Sequence, residues 1–185
     1  MSRSEDSLGA GKFVTVMRQI LRLTDTANEW MGRQMRWFVI AAALVGVTEV
    51  VQRYVFNHPT MWGYEIIIMI GAAMYALSWG YVHLQHGHVR VDVFYTRFST
   101  RGKAIVDVVC FLLLFLPVIG VFLYSSGSWM VHAWAVNEKS VETYWYPPIA
   151  PLRTAIFVGV FLLFSQGVAR FIRDLSLAIR NRPYD

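Results

Sequence analysis

Three histidines, His83, His86 and His88, fall inside the stretch HLQHGHVRVD (residues 83–92), which also holds Arg90 and Asp92. Imidazoles at that density suit a metal site, a haem anchor or a proton relay. The spacing argues against metal. His83 and His86 share a helical face, but no Cys or carboxylate stands beside them at a standard ligand spacing, and Gly87 marks a helix end. The single cysteine, Cys110, excludes an intrachain disulfide and a multi-cysteine zinc site. A haem between His83 and His132 is ruled out by distance. The two stand at opposite ends of consecutive apolar spans, about a bilayer thickness apart. No metal and no cofactor are therefore expected. The block instead closes a helix at the cytoplasmic face, where His88, Arg90 and Asp92 fix a turn and contact a neighbouring subunit or lipid headgroups.

The second group with chemical potential is Glu49, Arg53 and Glu65. Glu49 and Arg53 are four apart and share a helix face. Glu65 follows a short turn, at a similar depth on the next helix. Ionisable groups inside a membrane cost about 2.5–3.5 kcal/mol each and rarely face lipid, so the three are expected to form one cluster directed at protein. Such a cluster is either part of a proton or sodium pathway or an ion-pair staple that joins helices and docks another subunit. The staple is preferred, because one helical hairpin encloses no translocation route. Asp107, near the inner end of a span, snorkels or pairs with Lys103.

These groups sit on elements dictated by composition. Of the 185 residues 56% are hydrophobic and 16% charged, against about 25% charged in soluble domains. Four stretches reach the roughly 20 apolar residues that cross a bilayer: 37–56, 61–82, 104–129 and 152–169. Only helices satisfy their own backbone there, so the expected fold is all-α, an integral membrane four-helix protein. The first apolar run begins too late for a secretory signal, and the first helix is expected to be retained. Fourteen of the 17 Lys and Arg residues lie before the first span, between the second and third, and after the fourth. Arg53, Lys139 and Arg153 are the exceptions. The positive-inside rule then places both termini and the middle loop in the cytoplasm. The net charge of +5 thus reports topology, and nucleic acid is not an expected partner.

The expected organisation is a cytoplasmic N-terminal segment (1–36), a transmembrane domain (37–172) and a cytoplasmic tail (173–185). Within the first, residues 12–34 carry Phe13, Met17, Ile20, Leu21, Ala27 and Met31 near helical spacing, with Arg18, Arg22, Asp25 and Glu29 on another face. This predicts an amphipathic helix in the cytoplasmic interface, in preference to an extension of the first span. Asn57 and Pro59 predict a tight outer turn. Pro117, with Gly120 nearby, predicts a kink in the third span. The outer segment NEKSVETYWYPPIAPLR predicts an ordered, irregular aromatic loop at the interface, with Glu138, Trp145, Pro147 and Pro148 as docking candidates. The chain holds no Walker loop, dinucleotide fingerprint or nucleophile elbow, and its loops are too short for a soluble catalytic domain. It is not expected to be an enzyme.

TEVVQRYVFNHPTMWGYEIIIMIGAAMYAL, followed by HGHVRVD and later by FLLFSQGVARFIRDL, resembles the small membrane subunit of tripartite ATP-independent periplasmic (TRAP) transporters, the DctQ-like family. The shared features are Glu49 and Arg53 on the first helix, Trp62 and Glu65 opening the second, Gly71-Ala72-Ala73 within it, the block His88–Asp92, and Gln166-Gly167 on the fourth helix. The resemblance covers about residues 35–175. The chain departs from the pattern in its long N-terminal segment and its compact, aromatic outer loop. The resemblance implies a multi-pass protein of the bacterial inner membrane. It would work with a large membrane subunit that moves the solute and a periplasmic solute-binding protein that delivers it. It further implies uptake of an organic acid driven by an ion gradient, with this subunit as a non-catalytic scaffold. The alternative is an accessory or anchor subunit of another membrane complex, such as a redox enzyme.

Overall fold

The computed structural model describes residues 2–85 and 100–180, with side chains for 15–85 and 101–179. Five helices account for nearly all of it: α1 (Ser2–Tyr54), α2 (Trp62–Leu84), α3 (Thr100–Cys110), α4 (Leu116–Ala135) and α5 (Ala150–Arg180). A π-helical turn, Phe111–Phe115, joins α3 to α4 into one rod. Four segments are long and apolar enough to cross a bilayer: Thr15–Tyr54, Trp62–Leu84, Arg101–Ala135 and Ala150–Ile179. Their outward faces are covered with large apolar side chains. Leu113, Val118 and Val121 are each more than 60% exposed, which suits lipid as the surrounding solvent.

Two short connections, 55–61 and 136–149, lie at what we call the loop end; the start of α1 and the end of α5 lie at the other, terminal end. α1 stops because Asn57 turns left-handed (φ 54°), a conformation Asn tolerates. The N–H groups of Phe56 and His58 then reach back to the carbonyls of Val51 and Gln52. Pro59 follows directly.

α1 corrects one expectation. Residues 12–34 are not a separate interfacial helix; they are continuous with the first span in a 53-residue rod, about 80 Å long. The segment holds no proline, and its contacts tie it to the bundle. Leu21, Asn28, Met35 and Glu49 are buried and stand multiples of seven apart, the period of a left-handed supercoil. Two residues of the expected apolar face, Ile20 and Ala27, are exposed instead. At the other end of the chain, α5 continues through Arg180.

α2 packs between α1 and α5, and α5 also contacts α3 and α4. Small residues let them approach. Ala73, Ala76, Leu77 and Gly80 form the buried face of α2. Gly159 of α5 lies so close that a Cβ added there would stand 2.3 Å from the Ala76 carbonyl oxygen. This is the small-residue packing expected where lipid removes the hydrophobic drive for helix association.

Pro117 acts differently from the expected kink. It occupies the first turn of α4, where its missing N–H matters least, and the disturbance is absorbed one turn earlier. There the Leu116 N–H bonds to the Phe111 carbonyl five residues back, opening the π turn.

Candidate functional site

The polar side chains inside the spans form nodes at the two ends of the bundle. At the loop end, Glu49 is buried on α1, and its Oε1 accepts Arg53 Nε (3.1 Å) and Nη2 (2.5 Å) from the next turn. Its Oε2 accepts the Thr60 hydroxyl and the Thr60 N–H (3.2 Å). Thr60 Oγ1 in turn accepts the Gly63 N–H at 3.3 Å, in the first turn of α2. One carboxylate thus holds an arginine on its own helix and the electropositive start of the next helix. Gly63 makes room: a Cβ there would lie 2.8 Å from Glu49 Oε2.

Glu65 behaves otherwise. It is 3% exposed, and its Oε2 accepts the hydroxyl of Thr143, 78 residues further on, in the loop between α4 and α5. Its Oε1 is buried without a hydrogen-bond partner among the described residues. No hydrogen bond or ion pair joins Glu65 to Arg53 among the described residues. The expected three-residue cluster is therefore divided: Glu49 and Arg53 stitch α1 to the start of α2, and Glu65 stitches α2 to the aromatic loop. The physical reason is that Arg53 pairs with Glu49 one turn away on its own helix, while the loop folds back over the start of α2 and brings Thr143 to Glu65.

That loop is ordered by its own hydrogen bonds. Ser140 N–H donates to the Pro147 carbonyl (2.8 Å) and Ile149 N–H to the Glu138 carbonyl (3.0 Å), around a bridge between Lys139 and Pro148. Left-handed Asn137 and Tyr146 make its corners. Glu138 pairs with Arg153 at 2.5 Å, and Arg153 also donates to the Trp129 carbonyl while covering the Trp129 ring. Among the docking candidates, then, Glu138 holds the loop to the bundle and Pro147 is buried within it. Trp145 and Pro148 are exposed, beside Val141, Tyr144 and Tyr146.

The terminal end carries a node that sequence reasoning missed. Asn28 on α1 and Gln166 on α5 are both essentially buried, and Asn28 Nδ2 donates to Gln166 Oε1 at 2.9 Å. Gln166 Nε2 donates to Asp25 Oδ1 at 2.8 Å, and Arg173 grips both Asp25 oxygens at 3.3 and 2.6 Å. The signal lay in register: Asn28 falls in the seven-residue series of Leu21, Met35 and Glu49, but its partner is 138 residues away.

Of the histidine block, His83 stacks on Phe115 with ring centres 5.6 Å apart. His86, His88, Arg90 and Asp92 lie outside the described residues. His132 is in the last turn of α4, at the loop end, whereas His83 is at the terminal end, so the two face no common centre.

Two helix hairpins cross-stitched at both ends by hydrogen-bonded carboxylates and amides can hold a shape. The family model described as "Tripartite ATP-independent periplasmic transporters, DctQ component" matches residues 42–177, from the last third of the first span to near the end of the fourth. No curated protein and no solved structure matches the chain.

Proposed function

The chain belongs to the DctQ-component family of TRAP transporters and is a multi-pass transporter subunit; from that premise we propose that it is the non-catalytic small permease subunit, a scaffold for a large membrane subunit. In this reading it sits in a bacterial inner membrane with the loop end periplasmic and both termini cytoplasmic, as the distribution of Lys and Arg supports. The large subunit carries the solute, an organic acid delivered by a periplasmic binding protein, and an ion gradient drives uptake.

The observation that carries the scaffold role is the placement of the span carboxylates. Glu49 and Glu65 are each turned inward and hydrogen-bonded to neighbouring elements, joining α1, α2 and the outer loop. A translocation pathway needs carboxylates facing a continuous polar route, whereas these stitch helices to one another. Glu49 and Arg53 are the structural staple. Trp145 and Pro148 belong to the face offered to the periplasmic partner, with Glu138 and Pro147 holding that face in shape. His88, Arg90 and Asp92 form the cytoplasmic contact.

Co-purification tests the reading. Gently extracted, tagged protein is expected to bring down one large multi-span membrane protein, and the pair with its binding protein is expected to support gradient-driven uptake. Recovery of the tagged chain alone, from cells that express its neighbours, would overturn the scaffold assignment.

A further inference from the structure

At the loop end, the turn before α2 and the outer loop enclose a groove of about 490 Å³, within the size range of small-ligand sites. Three tyrosine rings stand around it: Tyr64 from the first turn of α2, and Tyr144 and Tyr146 from the loop. They share the lining with the Glu142 carboxylate and the hydroxyls of Thr60 and Thr143. Tyr146 holds its place with a left-handed backbone (φ 50°), unusual for a bulky side chain. A corner that Asn or Gly would make without strain thus carries a ring that lines the groove.

The wall is built of acceptors. Thr60 donates its hydroxyl proton to Glu49 and Thr143 donates its own to Glu65, so each offers an occupant a lone pair. Through Thr143 the groove backs onto Glu65, a buried carboxylate with no cation beside it among the described residues. Glu142 forms no ion pair among the described residues either. The cations of this end are engaged elsewhere, Arg53 by Glu49 and Arg153 by Glu138, and none of the described lining residues is Lys, Arg or His. Two carboxylates and three ring faces, each face negative in potential, therefore bear on one space that holds no positive charge of its own.

From this charge pattern we infer that the groove is a docking socket for one basic side chain, Lys or Arg, of the periplasmic solute-binding protein. The inference rests on the reading above that the loop end is periplasmic and faces that protein. Other occupants fit less well. An organic acid would bring its own negative charge against Glu142. A phospholipid headgroup would bring a phosphate, and no lining cation is there to receive it. A metal ion would lack ligands, since no group of three His, Cys, Asp or Glu stands together among the described residues. A membrane helix of the large subunit would meet the sides of the spans, whereas Tyr64 alone of the lining belongs to a helix.

The test uses the assembled pair of membrane subunits in lipid nanodiscs. Docking of the periplasmic protein that supports uptake with that pair is measured as a dissociation constant. Tyr144 is 83% exposed and Glu142 is exposed as well, so both accept substitution without disturbing the bundle. Glu142→Lys, which supplies the groove with a cation of its own, is expected to weaken docking about tenfold or more. Tyr64→Leu with Tyr144→Leu is expected to weaken it about tenfold, equivalent to ~1.4 kcal/mol. Tyr64→Phe with Tyr144→Phe keeps the ring faces and is expected to dock like the unmodified pair; a loss equal to that of the leucine pair would overturn the ring–cation assignment. A photoreactive benzoylphenylalanine at position 144 is expected to cross-link to the periplasmic protein beside a Lys or Arg. Cross-links to the large subunit or to lipid would overturn the choice of partner. Docking unchanged by Glu142→Lys and by the leucine pair would overturn the socket and leave the scaffold reading standing. No docking even to the unmodified pair would overturn the socket together with the reading of the loop end on which it rests.

Discussion

Gly159 is where the bundle tolerates least. A Cβ at this position would stand 2.3 Å from the oxygen and 2.5 Å from the carbon of the Ala76 carbonyl. Both are backbone atoms on the buried face of α2, so no side-chain rotation relieves the contact. Restoring an ordinary separation of about 3.3 Å requires α2 and α5 to part by about 1 Å. Overpacking of this kind costs about 1–3 kcal/mol. Against it stands the gain from replacing glycine by alanine within a helix, about 0.8–1 kcal/mol. Gly71, on α2, supplies the control, since nothing lies within 4 Å of an added Cβ there. Gly71→Ala is expected to be neutral or to stabilise by up to about 1 kcal/mol, whereas Gly159→Ala is expected to destabilise by up to about 2 kcal/mol, the clash less the propensity gain. Unfolding by graded denaturing detergent, followed by far-ultraviolet circular dichroism, measures both. α2 carries Glu65 and α5 carries Gln166, so parting these helices is also expected to lower the yield of complex with the large subunit. If the two alanine variants unfold at the same detergent fraction, the close α2–α5 approach is refuted, and with it the argument that small residues set the register of the polar nodes.

Two further predictions concern those nodes. Glu65→Gln and Thr143→Val are each expected to reduce the yield of assembled transporter while leaving the ion dependence of uptake unchanged, because both loosen the outer loop on α2; normal yield with altered ion coupling would assign Glu65 to a pathway instead. Glu49→Gln and Thr60→Val share one bond, so their destabilisations are expected to be non-additive, with a coupling of roughly 0.5–3 kcal/mol in a double-mutant cycle; strictly additive thermal melts in detergent would show that the bond is not formed.

Local geometry explains which parts could be read from sequence. The four spans followed from apolar length alone, since a bilayer demands an internally bonded helix of nearly fixed extent. The pairing of Glu49 with Arg53 followed from their spacing, because i and i+4 meet on any α-helix. The turn after α1 was legible in Asn57 and Pro59, whose backbone preferences act without any partner. What the tertiary structure decided is how these rods meet. Glu65 has a hydroxyl partner 78 residues away, and Gln166 reaches Asp25 across 141. Neither pairing is implied by spacing, because the register between helices depends on how closely Gly80 and Gly159 let backbones approach. The continuity of α1 is of the same kind. Residues 12–34 by themselves have the polarity of a surface helix, and partners on two other helices, Gly80 and Tyr81 of α2 and Gln166 and Arg173 of α5, draw that segment into the bundle. The π turn likewise takes its role from outside itself: Pro117 marks a disturbed helix, but Phe111 and Phe115 find their places only because Phe171 and Gly167 of α5 lie opposite.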